Sequence, residues 1–288
     1  MGLKRWLPGV AGLRAGAIHL SLSVAVALTA MAVIFLVWYP GKLAQAQGVS
    51  FLVLIMIGVD VVIGPLLTTL LYKPGKWGMR FDLFVIALLQ TVALLYGMKT
   101  IYGGRPAYVV FNVDRFDVVP VQDVSADSLA RAKPAFKTSM LHPRWAAARM
   151  PEDPETRSDI LFSSLSGGAD LPQLPEYFVP LGDERDALLQ KLHPIEELRK
   201  INELDDPAWK AVWAGFDRPE TDLGYLPMRG NAQDGAVILD AHSGEILGIR
   251  MLTPNFKSPR KGDVGDKKPP EAAPSVEPSA DDPASAPT

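Results

Sequence analysis

The sequence predicts a membrane protein: a three-helix transmembrane bundle, then an α+β domain outside the membrane, then a disordered C-terminal tail. Three observations carry that fold class. Three apolar segments, Ile18–Tyr39, Val49–Tyr72 and Phe81–Ile101, fill the first third of the chain; each is about 21–24 residues long and nearly free of charge. A bilayer core takes about 20 helical residues to cross, so each is long enough to span. After Arg105 the chain turns polar, with short aromatic and β-branched runs between proline-rich stretches. From about Phe256 it is Pro, Ala, Ser, Lys, Asp and Glu, which cannot bury enough apolar surface to order itself.

The flanks of the spans set an orientation. Lys4, Arg5 and Arg14 precede the first span, and Lys73, Lys76 and Arg80 lie between the second and third. The opposite side carries Lys42, Lys99, Arg105 and Arg115. Positive charge favours the cytoplasmic side. Six against four gives a cytoplasmic N-terminus and an exterior C-terminal domain. Trp38, Tyr39, Tyr72, Trp77 and Tyr102 sit at span ends, where amphipathic rings prefer the interface. Ala44-Gln45-Ala46 offers a rival reading, a signal-peptidase site after the first span. That span is longer than a signal peptide's apolar core of roughly 7–15 residues, and cleavage would leave the exterior domain where it is. The expected organisation is a cytoplasmic N-terminus at 1–16, three helices within 17–104 (18–39, 49–72 and 81–101), an α+β domain at 105–256 and a disordered tail at 257–288.

Composition narrows the function. The 288 residues are 48% hydrophobic with formal charge −3 and no cysteine, so the exterior domain must fold by packing alone. No basic cluster points to nucleic acid.

In the exterior domain, Tyr108–Val119 reads as a strand bracketed by Pro106 and Pro120. Ser125–Lys133 reads as a helix capped by Ser125. Arg144–Met150 and Pro154–Leu165 are expected as short helices, the second with Pro154 in its first turn. Asp183–Asn202 carries apolar residues at helical spacing, with Pro194 placed to kink or split it. Pro207–Ala214 is another short helix. Gly235–Asp240 and Glu245–Met251 form a hairpin about Ala241-His242-Ser243-Gly244.

Asp60 is the sharpest anomaly, a carboxylate at the middle of the second span. Such a group is costly in the bilayer and normally faces a partner or a cavity. Counting from span centres puts Thr29, Asp60, Gln90 and Thr91 in one layer, with Gln90 and either Thr29 or Thr91 bonded to Asp60. One turn later, Gly64-Pro65 combines close backbone approach with a kink. Asp60, Gly64, Pro65, Gln90, Thr29 and Thr91 are therefore the candidate residues, either for binding a partner helix or for packing the bundle itself. Proton or ion transport finds little room in three helices with short loops. An aspartate dyad with Asp82 fails because the two carboxylates differ in depth by roughly 15 Å. His142, His193 and His242 are scattered, and no nucleophile elbow or phosphate loop appears. Asp240, His242, Ser243 and Glu245 read as turn formers. No catalytic residue, metal, cofactor or small-molecule substrate is expected.

Some of these residues form an ordered series. It runs His19, Val37-Trp38-Tyr39-Pro40-Gly41, Gly58-Val59-Asp60-x-x-x-Gly64-Pro65-Leu66, and Lys73-Pro74-Gly75-Lys76. Arg80-Phe81-Asp82-Leu83, Ala87-Leu88-Leu89-Gln90, Arg105-Pro106 and Phe111-x-Val113-Asp114-Arg115-Phe116 continue it. The series resembles the TfpX/TfpZ family of type IV pilin accessory proteins over about residues 17–120, and more weakly through Leu223-Gly224-Tyr225-Leu226-Pro227 and 240–245. The resemblance implies a bacterial inner-membrane protein that supports assembly of type IV pili. The partners it implies are a cognate pilin, the pilus assembly machinery and the lipid bilayer. It implies no catalytic residue. The alternative class is a membrane-anchored periplasmic sensor or a subunit of another envelope complex.

Overall fold

The computed structural model describes residues 9–139 and 141–256. The expected tail at 257–288 lies outside the described residues, as does the first half, 1–8, of the expected N-terminal segment. Three helices are long and apolar enough to cross a membrane: α1 (Val10–Trp38), α3 (Val49–Leu71) and α4 (Met79–Gly103). The short helix α2 (Leu43–Gln47) bridges the first two. The first long helix begins at Val10, two turns before the expected Ile18. Its early turns hold Gly12 and Gly16, which pack against α3, so Arg14 does not mark the helix boundary.

The chain then forms one mixed sheet with helices around it. In sequence the elements are β1 (Pro106–Asn112), β2 (Arg115–Pro120), α5 (Ala126–Arg131), β3 (Arg144–Ala148), α6 (Pro154–Leu165) and β4 (Phe178–Val179). There follow α7 (Arg185–Lys191), β5 (His193–Pro194), α8 (Ile195–Ile201), α9 (Asp206–Trp213), β6 (Leu223–Arg229), β7 (Gly235–Asp240) and β8 (Ile246–Arg250). The strand order is β4-β3-β1-β2-β6-β7-β8, with β5 also paired to β6. The β1–β3 and β2–β6 pairs are parallel and the rest antiparallel.

Four expectations change. The single strand at Tyr108–Val119 is a tight hairpin, with Asn112 opposite Arg115. Its turn was hidden because Val113 takes φ +61°, a conformation that β-branched residues rarely adopt. Arg144–Met150 is the strand β3 rather than a helix, because parallel pairing with β1 overrides the helix propensity of its alanines. The helix expected at Asp183–Asn202 divides at Leu192–Pro194, the split that Pro194 was expected to allow, but a strand intervenes that was not expected: His193 and Pro194 pair with β6. Strand β6 was not expected, since Gly224 and Pro227 argue against a central strand. β6 pairs with β5 at Gly224 and Tyr225 and with β2 at Met228 and Arg229. Pro227 falls in the gap, where its missing donor costs no ladder bond on that side. Ser125 and Asp153 cap α5 and α6 through the amides of Ser128 and Thr156 at 3.1 and 2.8 Å.

The sheet's core reaches into the helical half. Leu43 and Ala46 of α2 are buried with Val109, Phe116, Leu226 and Met228. The amides of Ala232 and Gln233 both donate to the Ala46 carbonyl, at 2.9 and 3.2 Å. Gly48 and Gly230 make room for this: a Cβ on Gly48 would lie 2.6 Å from the Ala232 methyl, and one on Gly230 would lie 2.6 Å from the Ala46 oxygen. Tyr39 donates its hydroxyl to the Ile101 carbonyl at 2.7 Å, and Trp38 packs edge-on against Tyr102 at 5.1 Å. Arg105 stacks over the Tyr102 ring and donates to its hydroxyl and to the Ser139 carbonyl, each at 3.1 Å. Several groups therefore tie α1, α2 and α4 to the sheet.

Candidate functional site

The candidate site lies midway along the helices. Within α3, residues Val59–Ile63 form a π-helical turn, closed by the Gly64 amide on the Val59 carbonyl. Pro65 has no amide for the Val61 carbonyl, and its ring would crowd that oxygen in a regular helix; widening the preceding turn relieves the conflict. Such turns are rare overall and frequent at functional sites; α1 ends in another, Val33–Trp38, away from the cavity. Asp60 sits inside the Val59–Ile63 turn.

The π turn presents Asp60 to the helix interior, where the residue is 7% exposed. Gln90 of α4 donates its amide to the Asp60 backbone carbonyl at 3.1 Å. Gly64 permits that approach, because a Cβ there would overlap the Gln90 amide. Two acceptors, Asp60 Oδ1 and Gln90 Oε1, are buried and meet no donor. A cavity of about 150 Å³ opens beside them, lined by His19, Ser23, Asp60, Gln90, Thr91 and apolar neighbours.

The structure thus brings Asp60, Gly64 and Gln90 into contact and places Thr91 on the cavity wall. Thr91 gives its hydroxyl to the Ala87 carbonyl at 2.8 Å rather than to Asp60. Thr29 is elsewhere: it is exposed and donates to Ala25 at 2.9 Å. The early start of α1 explains this, because the residues of α1 level with Asp60 are His19 and Ser23, about two turns before Thr29. Pro65 accepts from Thr69 at 2.8 Å, one turn along. His19, missed as a site residue, shares a 2.6 Å hydrogen bond with Thr68 of α3. The closeness of α1 and α3 comes from Gly12-x-x-x-Gly16. A Cβ on Gly12 would lie 2.6 Å from the Thr69 carbonyl, and one on Gly16 would overlap the Thr69 side chain. That small-residue spacing was the available signal.

Outside the helices, the polar groups serve the fold. Asp240 Oδ1 accepts from the amides of Ser243 and His242 at 2.7 and 3.0 Å, which holds its carboxyl below the usual range. Burial pushes the Asp117 carboxyl up, opposed by Arg115 and Asn112. Burial also raises the Tyr108 and Tyr225 hydroxyls to about 12. Among the described residues, no group of His, Asp or Glu could hold a metal ion.

Fold and site together define a three-helix apolar bundle joined to a mixed-sheet domain, with a cavity between the helices that holds Asp60 and Gln90. The family model described as fimbrial assembly protein FimB matches residues 9–41, which span α1. Two proteins of Dichelobacter nodosus, named fimbrial assembly protein of serogroup I and of serogroup E1, are each 30% identical to the chain over 228 residues. Those alignments cover 77% of this chain and 88% of each relative. A third, of serogroups C1 and C2, is 38% identical over 117 residues, 40% of this chain and 89% of the relative. The chain belongs to this fimbrial assembly protein family. No solved structure matches it.

Proposed function

We propose that this chain acts in type IV fimbrial biogenesis as an accessory protein of the TfpX/TfpZ kind, holding its cognate pilin in the bacterial inner membrane before assembly. The observation that carries the reading is the 30% identity to fimbrial assembly proteins across most of both chains. The three apolar helices support insertion, and the charge bias of their flanks supports a cytoplasmic N-terminus with the mixed-sheet domain in the periplasm. Pilins wait in the membrane with one apolar helix and an outer globular head, and this protein has surfaces at both levels. The role is binding rather than catalysis, and the contact is reversible because the subunit must leave for the fibre.

Deleting the gene should lower surface pili and twitching motility while the pilin gene is still transcribed. A phosphatase fused near residue 255 should be active, and one fused within Lys73–Arg80 should not. Normal piliation in the deletion strain would remove the reading in favour of the sensor class. The reverse reporter pattern would invert the topology.

A further inference from the structure

The cavity beside Asp60 is one end of a longer groove. Helix α3 packs against both α1 and α4, while α1 and α4 meet each other near one end, at Trp38 and Tyr102, and open a groove away from it. His19, Leu22 and Ala87 line the small cavity and also a wider opening of about 770 Å³ that runs toward Val10, Tyr72 and Leu83. The groove therefore has α3 as its floor and α1 and α4 as walls. Most of it is apolar, with Asp60 and Gln90 at one end and Arg14 and Tyr72 at the other.

We propose that this groove seats a single transmembrane helix of a partner, which places one hydrogen-bond donor side chain in the cavity against Asp60 and Gln90. The inference rests on the proposed membrane insertion and pilin handling, and it names the face and the chemistry of the contact. Asp60 Oδ1 and Gln90 Oε1, both buried and without a hydrogen-bond partner, motivate the requirement. Leaving such atoms unpaired away from water is costly, so an occupant that brings a donor is favoured over one that does not. A lipid acyl chain brings none. A second copy of this chain is less suited, because its exposed hydroxyls nearest the level of Asp60 are already spent and Tyr96, another exposed hydroxyl on α4, lies six residues beyond Gln90. Ser21, Thr29 and Thr91 each donate to the carbonyl four residues back on their own helix. The cavity's size fits one side chain: roughly 150 Å³ takes a benzene-sized group. The wider part of the groove leaves room for the helix that carries it.

The test uses the full chain in its native membrane with the cognate pilin. Photocrosslinking residues are placed at Leu22 and Ala87 on the groove walls. Control sites are Leu88 and Val92 on the far face of α4, and Leu141, Phe162 and Ile201 on the mixed-sheet domain. Leu22 and Ala87 should capture pilin through its apolar helix, and Leu88 and Val92 should not. Asp60→Leu should lower groove capture about tenfold, the worth of one interhelical hydrogen bond. Asp60→Asn keeps an acceptor and should retain capture. Gly64→Ala displaces Gln90 without touching the carboxylate and should weaken capture by a second route. Equal protein levels in the membrane keep the comparison valid. Capture from the mixed-sheet domain with none from the groove would overturn this inference and leave the pilin-handling reading standing. Capture of another copy of this chain, or of lipid alone, from Leu22 and Ala87 would also overturn it. Loss of pilin capture from every site would overturn both.

Discussion

Val113 shows how one residue can hide a turn and carry strain. It stands at the tip of the β1–β2 hairpin, 65% exposed, with φ +61°. For an L-residue the left-handed region costs roughly 1–2 kcal/mol, and a branched Cβ makes it worse. Its side chain gains little in return, because so much of it is in solvent. Val113→Gly should therefore raise domain stability by about 1 kcal/mol, partly offset by the greater freedom of glycine when unfolded. Thermal unfolding of the purified protein in detergent, followed by tryptophan fluorescence, would read this as a higher midpoint. A lower midpoint would mean that the valine makes a contact worth more than the strain. Asp240 is the contrasting case. Its turn was expected from sequence, and its carboxylate satisfies two amides of that turn.

At the scale of elements, the closest helix pairing is that of α1 on α3, made by glycines rather than by large side chains. Gly12 and Gly16 meet Thr69, and His19 meets Thr68 a turn further on. Gly16→Leu should pry the helices apart, at a cost of about 1–3 kcal/mol for overpacking. Gly9→Leu is the control, because nothing lies within 4 Å of a Cβ at that position. A detergent melt that falls for Gly16→Leu and not for Gly9→Leu would confirm the crossing; equal effects would refute it. The helices themselves were legible because apolar length is read directly from composition. The register of α1 was not, because Arg14 lies inside a helix whose neighbouring glycines pack. That two-turn error put Thr29 in the place of His19 and Ser23. The closeness of Asp60 and Gln90 was legible, since both lie in helices whose ends were nearly right, although Gln90 bonds the Asp60 backbone carbonyl and leaves the carboxylate Oδ1 unpaired. The π turn that turns Asp60 inward depends on how Pro65 is accommodated, which local propensity does not specify. Strands β3 and β6 were lost for a related reason: alanines, a glycine and a proline become strands there only through long-range pairing.

Across the whole molecule, the main feature is that anchor and sheet share a core. Leu43 and Ala46 lie between two apolar helices in sequence, yet they pack against strands more than sixty residues away. The Ala46 carbonyl holds the β6–β7 connection through two amides, and Gln45 reaches Gln233 at 3.0 Å. With Tyr39 bonded to Ile101, the Trp38 end of α1 and the Gly103 end of α4 are stiffened together where the chain enters the sheet. For a protein proposed to grip both the helix and the head of a pilin, that stiffness would let the two contacts form and break together. The coupling makes a definite prediction. Leu43 is 3% exposed, so Leu43→Ala should destabilise the mixed-sheet domain by about 2–5 kcal/mol, although it lies outside that domain's own sequence. Leu54, exposed on α3, supplies the control, and Leu54→Ala should leave the domain unchanged. Limited proteolysis in membrane vesicles, scored by cleavage within 105–256, separates the outcomes. Faster cleavage in Leu43→Ala alone supports a shared core. Equal cleavage in both variants and in the parent would mean that α2 merely rests on the sheet, and the stiff link between the two levels would have to be abandoned.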